Sequence, residues 1–123
     1  MYKLLLLTLS LTAYPLWAQQ LNSPYDLIKG TASLQGQKVP WYPESLEYEI
    51  KWGVFSMGYS SLEVKEVVNF AGRPAYHLIS RAWSSSFADR IYKVRDLNES
   101  WVDAQNLNSL AYFKQLREGT FYR

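Results

Sequence analysis

The sequence predicts a mainly β protein, an antiparallel curved sheet or partial β-barrel, with an N-terminal signal helix and a short helix near residues 86–91. Three observations carry that prediction. From Leu46 onward apolar and polar residues alternate with period two, in short runs set about ten residues apart. Aromatic side chains are abundant, with ten Tyr, five Trp and five Phe in 123 residues, more than a helical bundle of this size needs. No Cys is present, so packed rings must do what disulfides often do in a small exported domain. A chain that is 48% hydrophobic and 20% charged is neither a low-complexity disordered protein nor a polytopic membrane protein, and its length allows one domain.

The N-terminus has the pattern of a secretory signal peptide. A short positive start at Lys3 is followed by an uncharged, Leu-rich stretch from Leu4, and Tyr14, Pro15, Leu16, Trp17 and Ala18 lead out to Gln19 and Gln20. The stretch is too short and too weakly bordered for a membrane span. Cleavage is expected after Ala18. A bacterial lipoprotein carries its acyl chains on a Cys at the cleavage site, and none exists here, so no lipid anchor is expected. Residues 1–18 contain a single charged side chain, Lys3. The remainder is nearly neutral and offers no strong field for nucleic acid or anionic lipid.

Residues 19–45, with Pro24, Gly30, Gly36, Pro40 and Pro43, predict an arm. Ser23 before Pro24 and Asp26 is a helix start, with proline at the first helical position, and Gly30 is a stop. Trp41 and Tyr42, between two prolines, are expected to pack on the domain.

The β domain is expected over 46–123. Leu46, Tyr48, Ile50 and Trp52 alternate with Glu47, Glu49 and Lys51, which puts one side on a core and the other in water. A turn over Gly53 to Gly58 and a strand from Tyr59 to Val68 complete a hairpin. Asn69 to Pro74 is a turn, and Ala75 to Trp83 a third strand with apolar residues on both faces. Ser86 with Asp89 resembles a cap for a one- or two-turn helix ending by Ile91. Tyr92 to Asp103 is strand-like with mixed parity, which predicts a bulge near Asn98. Leu110 to Glu118 makes the next strand, Gly119 a reversal, and Thr120 to Arg123 the opening of another. Five strands and a stub fall short of the roughly eight that close a barrel. The domain is therefore expected to be incomplete at its C-terminus, with its last strand an open edge that invites self-pairing.

Four segments together resemble a known family. Tyr48, Trp52, Gly53 and Met57-Gly58 come first, then Gly72, Arg73, Pro74 and His77, then Tyr92, Arg95, Asp96, Glu99 and Asp103, and last Phe113, Lys114, Arg117, Glu118 and Gly119. Their order and spacing over about residues 44–123 resemble the bacterial domain of unknown function 3108. The resemblance implies an exported envelope protein of mostly β structure, longer than this chain. It carries over no activity and no catalytic residue. A likeness to the half-barrel carriers of lipoprotein acyl chains is one of architecture alone.

Few residue patterns point to chemistry. His77 is the one histidine, and without Cys or a second His a metal site would need carboxylates alone. Arg95 and Asp96, as neighbours on a strand, point to opposite faces. Their expected partners are cross-strand, a Glu for Arg95 or Lys93 and Arg81 or Arg117 for Asp96. Glu47 and Glu49 share a wet face with Lys51 instead of converging in a cleft. Ser60-Ser61 lacks the second Gly of a nucleophile elbow, and no phosphate loop occurs.

Three functional readings follow. In the first, the protein is a non-catalytic β-barrel-like module in the periplasm or cell envelope, binding an apolar or glycan ligand through Tyr48, Trp52, Tyr76, Leu78 and Tyr112. In the second it is an assembly protein that meets another envelope component through outward aromatics such as Trp41, Phe55 or Trp83. In the third it is an enzyme, and His77, Arg95 and Asp96 are the polar set to test. The envelope partners so expected are lipid, glycan or protein, with no nucleic acid, and no cofactor or metal is called for by any motif.

Overall fold

The computed structural model describes residues 23–34 and 39–123, and the expected signal segment, 1–18, lies outside them. A 3-10 turn at Pro24–Leu27 leads into eight strands: β1 (Ile28–Thr31), β2 (Ser45–Trp52), β3 (Phe55–Phe70), β4 (Arg73–Ser84), β5 (Arg95–Asp103), β6 (Ser109–Gln115), β7 (Arg117–Glu118) and β8 (Phe121–Tyr122). β1 to β6 form one antiparallel sheet, strongly curled into a half-barrel. The order is β1, β3, β4, β5, β6, with β2 also on β3, while β7 and β8 make a separate ribbon.

β3 is the spine of the sheet. It pairs with β4 from Gly58 to Phe70 along one edge, and along the other with β2 over its first half and with β1 at Val68 and Phe70. Val64 faces Leu78 and Glu66 faces His77, so Lys65 is an extra residue. That bulge turns Val64 and Val67 to one face of the sheet and Val68 and Phe70 to the other.

Two apolar clusters result, one on each face, both near the β3–β4 turn. Val64, Val67 and Tyr76 lie beneath Ala32, Leu34, Val39, Trp41 and Tyr42 of the arm. Val68, Phe70, Ala75 and Trp101 are packed by Ile28, Leu110, Ala111 and Phe113. Trp41 and Tyr42 meet the Tyr76 ring at 5.2 and 5.5 Å, as their place between prolines predicts.

Several expectations need correcting. The alternation in β2 is real, yet Tyr48, Ile50 and Trp52 are exposed, because both clusters sit at the other end of the sheet. Tyr92, in the β4–β5 connection, and Tyr112, on the edge strand β6, are exposed as well, so the buried rings of the core are Phe70, Tyr76 and Trp101. β1 replaces the expected stop at Gly30; backbone pairing with β3 outweighs its poor strand composition. The turn expected over 69–74 narrows to Ala71 and Gly72, both at positive φ (49° and 86°), a pair of angles that matches strand twist. Gly72 N–H donates to Asn69 Oδ1 at 2.8 Å there. The expected helix near 86–91 is a 3-10 turn, Ala88–Arg90, whose N-cap position is Phe87 and not Ser86; Ser85 Oγ accepts from Ala88 N–H at 3.1 Å at its start. β5 runs in unbroken register with β4 through Asn98; its irregularity falls between Trp101 and Val102, against β6.

Gly58 is required by a close approach. A Cβ there would lie 2.6 Å from the Trp83 carbonyl oxygen, a backbone atom held in the β3–β4 ladder. Gly58→Ala should therefore lower stability by about 1–3 kcal/mol, read as a fall in the urea midpoint at unchanged slope. A midpoint equal to that of the parent would show that the ladder yields freely at this point.

Candidate functional site

The register divides the sheet chemically, because residues paired across strands share a face. On one face lie the rows Tyr48, Ser60, Ala82, Asp96; Leu46, Leu62, Ser80, Asn98, Lys114; Val64, Leu78, Ser100, Tyr112; and Val67, Tyr76, Val102. Only Asp96 and Lys114 in these rows carry charge, on β5 and β6. The other face holds Glu47, Arg81, Glu63, Glu99, Glu66, His77, Glu49, Arg95 and Asp103 in the corresponding rows. Arg81 and Glu63 pair across it at 3.5 Å.

The uncharged face forms a trough. Its floor is small, made of Ser60, Ser80, Ala82 and Ser100, with Leu46, Tyr48 and Ile50 along one wall and Tyr112 along the other. Tyr112 OH is fixed by donating to Asn98 Oδ1 at 2.8 Å. A hollow of about 230 Å³ lies at the arm end between Trp41, Glu44, Leu46, Leu62, Val64 and Leu78. A second, of about 150 Å³, lies among Ile50, Met57, Gly58, Ala82 and Val94. Of the five residues read from the sequence as ligand-binding, Tyr48, Leu78 and Tyr112 border this trough. Trp52 continues its β2 wall, and Tyr76 is sealed under Trp41 and Tyr42, where it supports the trough without reaching its surface.

The polar set is not brought together. His77 and Arg95 share the charged face, but Arg95 pairs with Trp83, six residues from His77 along β4, about 20 Å at the rise of a strand. Asp96 lies on the opposite face and accepts from Arg117 N–H at 3.0 Å. Arg95 makes a two-point pair with Asp89 of the second 3-10 turn, at 2.6 and 3.1 Å, where a strand Glu was expected. That guanidinium, together with the Ser84 hydroxyl, holds the Asp89 carboxyl below the usual range. The arrangement ties the β4–β5 connection to β4, a positioning task.

His77 instead belongs to a buried relay that the sequence did not suggest. Its Nε2 donates to Glu99 Oε2 at 2.5 Å, and Tyr25 OH donates to Glu99 Oε1. Glu66 Oε1 lies 3.8 Å from His77 Nδ1, and Trp101 stacks on the imidazole at 4.8 Å. His77 is 4% and Glu99 8% exposed, so neither offers an atom to a dissolved substrate. Fully paired, the group pins the 3-10 turn and β1 to the sheet. One signal for it was present: Glu99 shares the apolar parity of Leu97 and Trp101. Tyr25, 74 residues away, gave none.

Burial first, then the hydrogen bond to Glu99 and its charge, push the Tyr25 hydroxyl up to about 12. A raised pKa contributes stability that is whole below the unfolded value of 10.0 and is lost as pH rises through about 12. The parent protein should therefore lose thermal stability across that window more steeply than Tyr25→Phe. Parallel curves for the two proteins would show that the hydroxyl is not coupled to folding.

The model of the family described as "Protein of unknown function (DUF3108)" matches residues 47–123, the span of β2 through β8 apart from its first two residues. No curated protein and no solved structure matches the chain. The sheet and its uncharged trough are thus what this chain makes of a shared domain, and the protein belongs to the DUF3108 family.

Proposed function

We propose that the protein is an exported module of the periplasm or cell envelope that binds an apolar or glycan ligand in the uncharged trough without transforming it. One observation carries this reading. A face crossing β2 to β6 keeps its charges at β5 and β6, floors itself with small side chains and leaves Leu62, Tyr48 and Tyr112 exposed, whereas the opposite face carries charged side chains in row after row around its own apolar cluster. An ordinary solvated face gains nothing from that segregation. Apolar hollows lined by Leu46, Leu62 and Leu78 suit an acyl chain, and exposed Tyr rings beside Ser and Asn hydroxyl and amide groups suit a sugar.

The test is to express the full reading frame in its native envelope and identify bound lipid or glycan by mass spectrometry, alongside Leu62→Glu. Leu62 is 43% exposed, so a carboxylate there spoils the trough without burying a charge. The parent should carry a defined ligand and the variant should lose it. A folded parent with nothing bound above background overturns the proposal. Assembly with another envelope component is a second reading, favoured by the exposed stack of Phe55 on Phe87, 5.3 Å apart. Trp41, packed on Tyr76, is not available to that surface.

A further inference from the structure

We infer that the β2–β3 tip and the adjoining 3-10 turn dock on the surface of an anionic lipid bilayer. The inference gives the assembly reading a specific partner, and ligand binding in the trough stands or falls separately. At this end of the sheet Trp52 pairs with Phe55, Phe55 stacks on Phe87, and Phe87 leads through Ala88–Arg90 to Ile91. These residues and Val54 form the most exposed apolar group among the described residues. Val54 is 90%, Trp52 76% and Ile91 76% exposed, although the same sheet buries Tyr76 and Trp101 completely. Nothing in the folding of the chain calls for such side chains on a turn.

The chain as a whole is nearly neutral and makes no strong long-range field, so it is the local charge at the tip, felt only at contact, that decides between a bilayer and a protein. The acids nearest the tip are already neutralised, Glu49 by Lys51 at 3.1 Å and Asp89 by Arg95. Arg90 and Lys93, which flank Ile91, are exposed and have no ion pair within 4 Å among the described residues, Lys93 acting on the already paired Asp89 only at longer range. An apolar cap carrying a Trp and flanked by unpaired cations matches the headgroup boundary, where rings and aliphatic side chains sit among the acyl ends and cations reach phosphate. Lys51 adds a third cation, shared with Glu49. Both the Trp52 side chain and the hollow at Ile50 lie on the trough's face, so a docked tip would hold that trough's end against the lipid.

The absence of Cys makes the test direct. Val54→Cys, labelled with a polarity-sensitive dye, reports the tip. Lys65→Cys, at the exposed bulge of β3, reports a site away from it. Full-length chains are mixed with vesicles of phosphatidylcholine alone or with added phosphatidylglycerol. The Val54 label should shift to the blue on the anionic vesicles and the Lys65 label should not. Arg90→Ala with Lys93→Ala should weaken co-sedimentation about 25-fold, at about fivefold for each cation, and salt should weaken it too. Binding that leaves both labels in water, as insertion of Leu4 to Ala18 alone would, overturns the inference. So does self-association without vesicles that Val54→Asp abolishes, which would make a second copy of the chain the partner. Circular dichroism of each variant keeps misfolding from passing as lost affinity.

Discussion

Trp101→Ala is expected to lower the unfolding free energy by about 3–5 kcal/mol, a large part of the roughly 5–15 kcal/mol that holds a domain together. The indole is fully buried. It stacks on His77, takes the edge of Tyr25 at 5.3 Å and touches Phe70 at 5.8 Å, so its loss opens a cavity from which three rings withdraw. Trp101→Phe should cost far less. The smaller ring keeps much of the packing, and it removes Nε1, a buried donor with no partner among the described residues, whose lost hydration already costs the folded state about 1–3 kcal/mol. Urea unfolding of the three proteins separates these contributions. Equal penalties for Phe and Ala would mean that Nε1 is satisfied and that the indole's polar edge matters as much as its area.

Glu99→Ala should be nearly as damaging, at about 3 kcal/mol, because it leaves the buried His77 Nε2–H without an acceptor and releases the Tyr25 hydroxyl at the edge of the sheet. The informative companion is the triple change Glu99→Leu, His77→Leu, Tyr25→Phe. Removing every polar partner at once leaves no orphan, so it should cost less than Glu99→Ala alone. If the triple variant is the weaker protein, the relay contributes net stability beyond the avoidance of unpaired groups. Tryptophan fluorescence during denaturation follows both, since Trp101 is fully buried in the fold and reaches water on unfolding.

Much of the sheet was legible from the sequence because strand alternation is a local property. Leu46 to Trp52, Tyr59 to Val68 and Ala75 to Trp83 each lie within an observed strand. What the pattern could not convey was which end of the sheet would be covered. Tyr48 and Tyr76 look alike in sequence, but Tyr76 lies under Trp41 and Tyr42 while Tyr48 faces solvent, and that difference arises from an arm that precedes both. Bulges were hidden for a related reason. The extra residue Lys65 shows only when β4 is laid beside β3, and the mixed parity of residues 92–103 came from apolar packing on both faces of β5, with Trp101 on one side and Val102 on the other, and not from a break at Asn98. For the candidate site, the wall residues of the trough followed from parity. The pairing of His77 with Glu99, and of Arg95 with Asp89, depended on contacts that no single strand encodes.

Because both apolar clusters lie at the β3–β4 turn, resistance to opening should be graded along the strands. Amide protons of Val67, Tyr76 and Trp101 should exchange with heavy water only when the whole molecule unfolds, and those around Ile50, Phe55 and Ala82 through small, frequent openings. The protein would behave as a clasp with one riveted end and one compliant end. The compliant end is also where the exposed rings and unpaired cations gather, so it could splay to admit or release a long molecule while the riveted end kept the chain's shape.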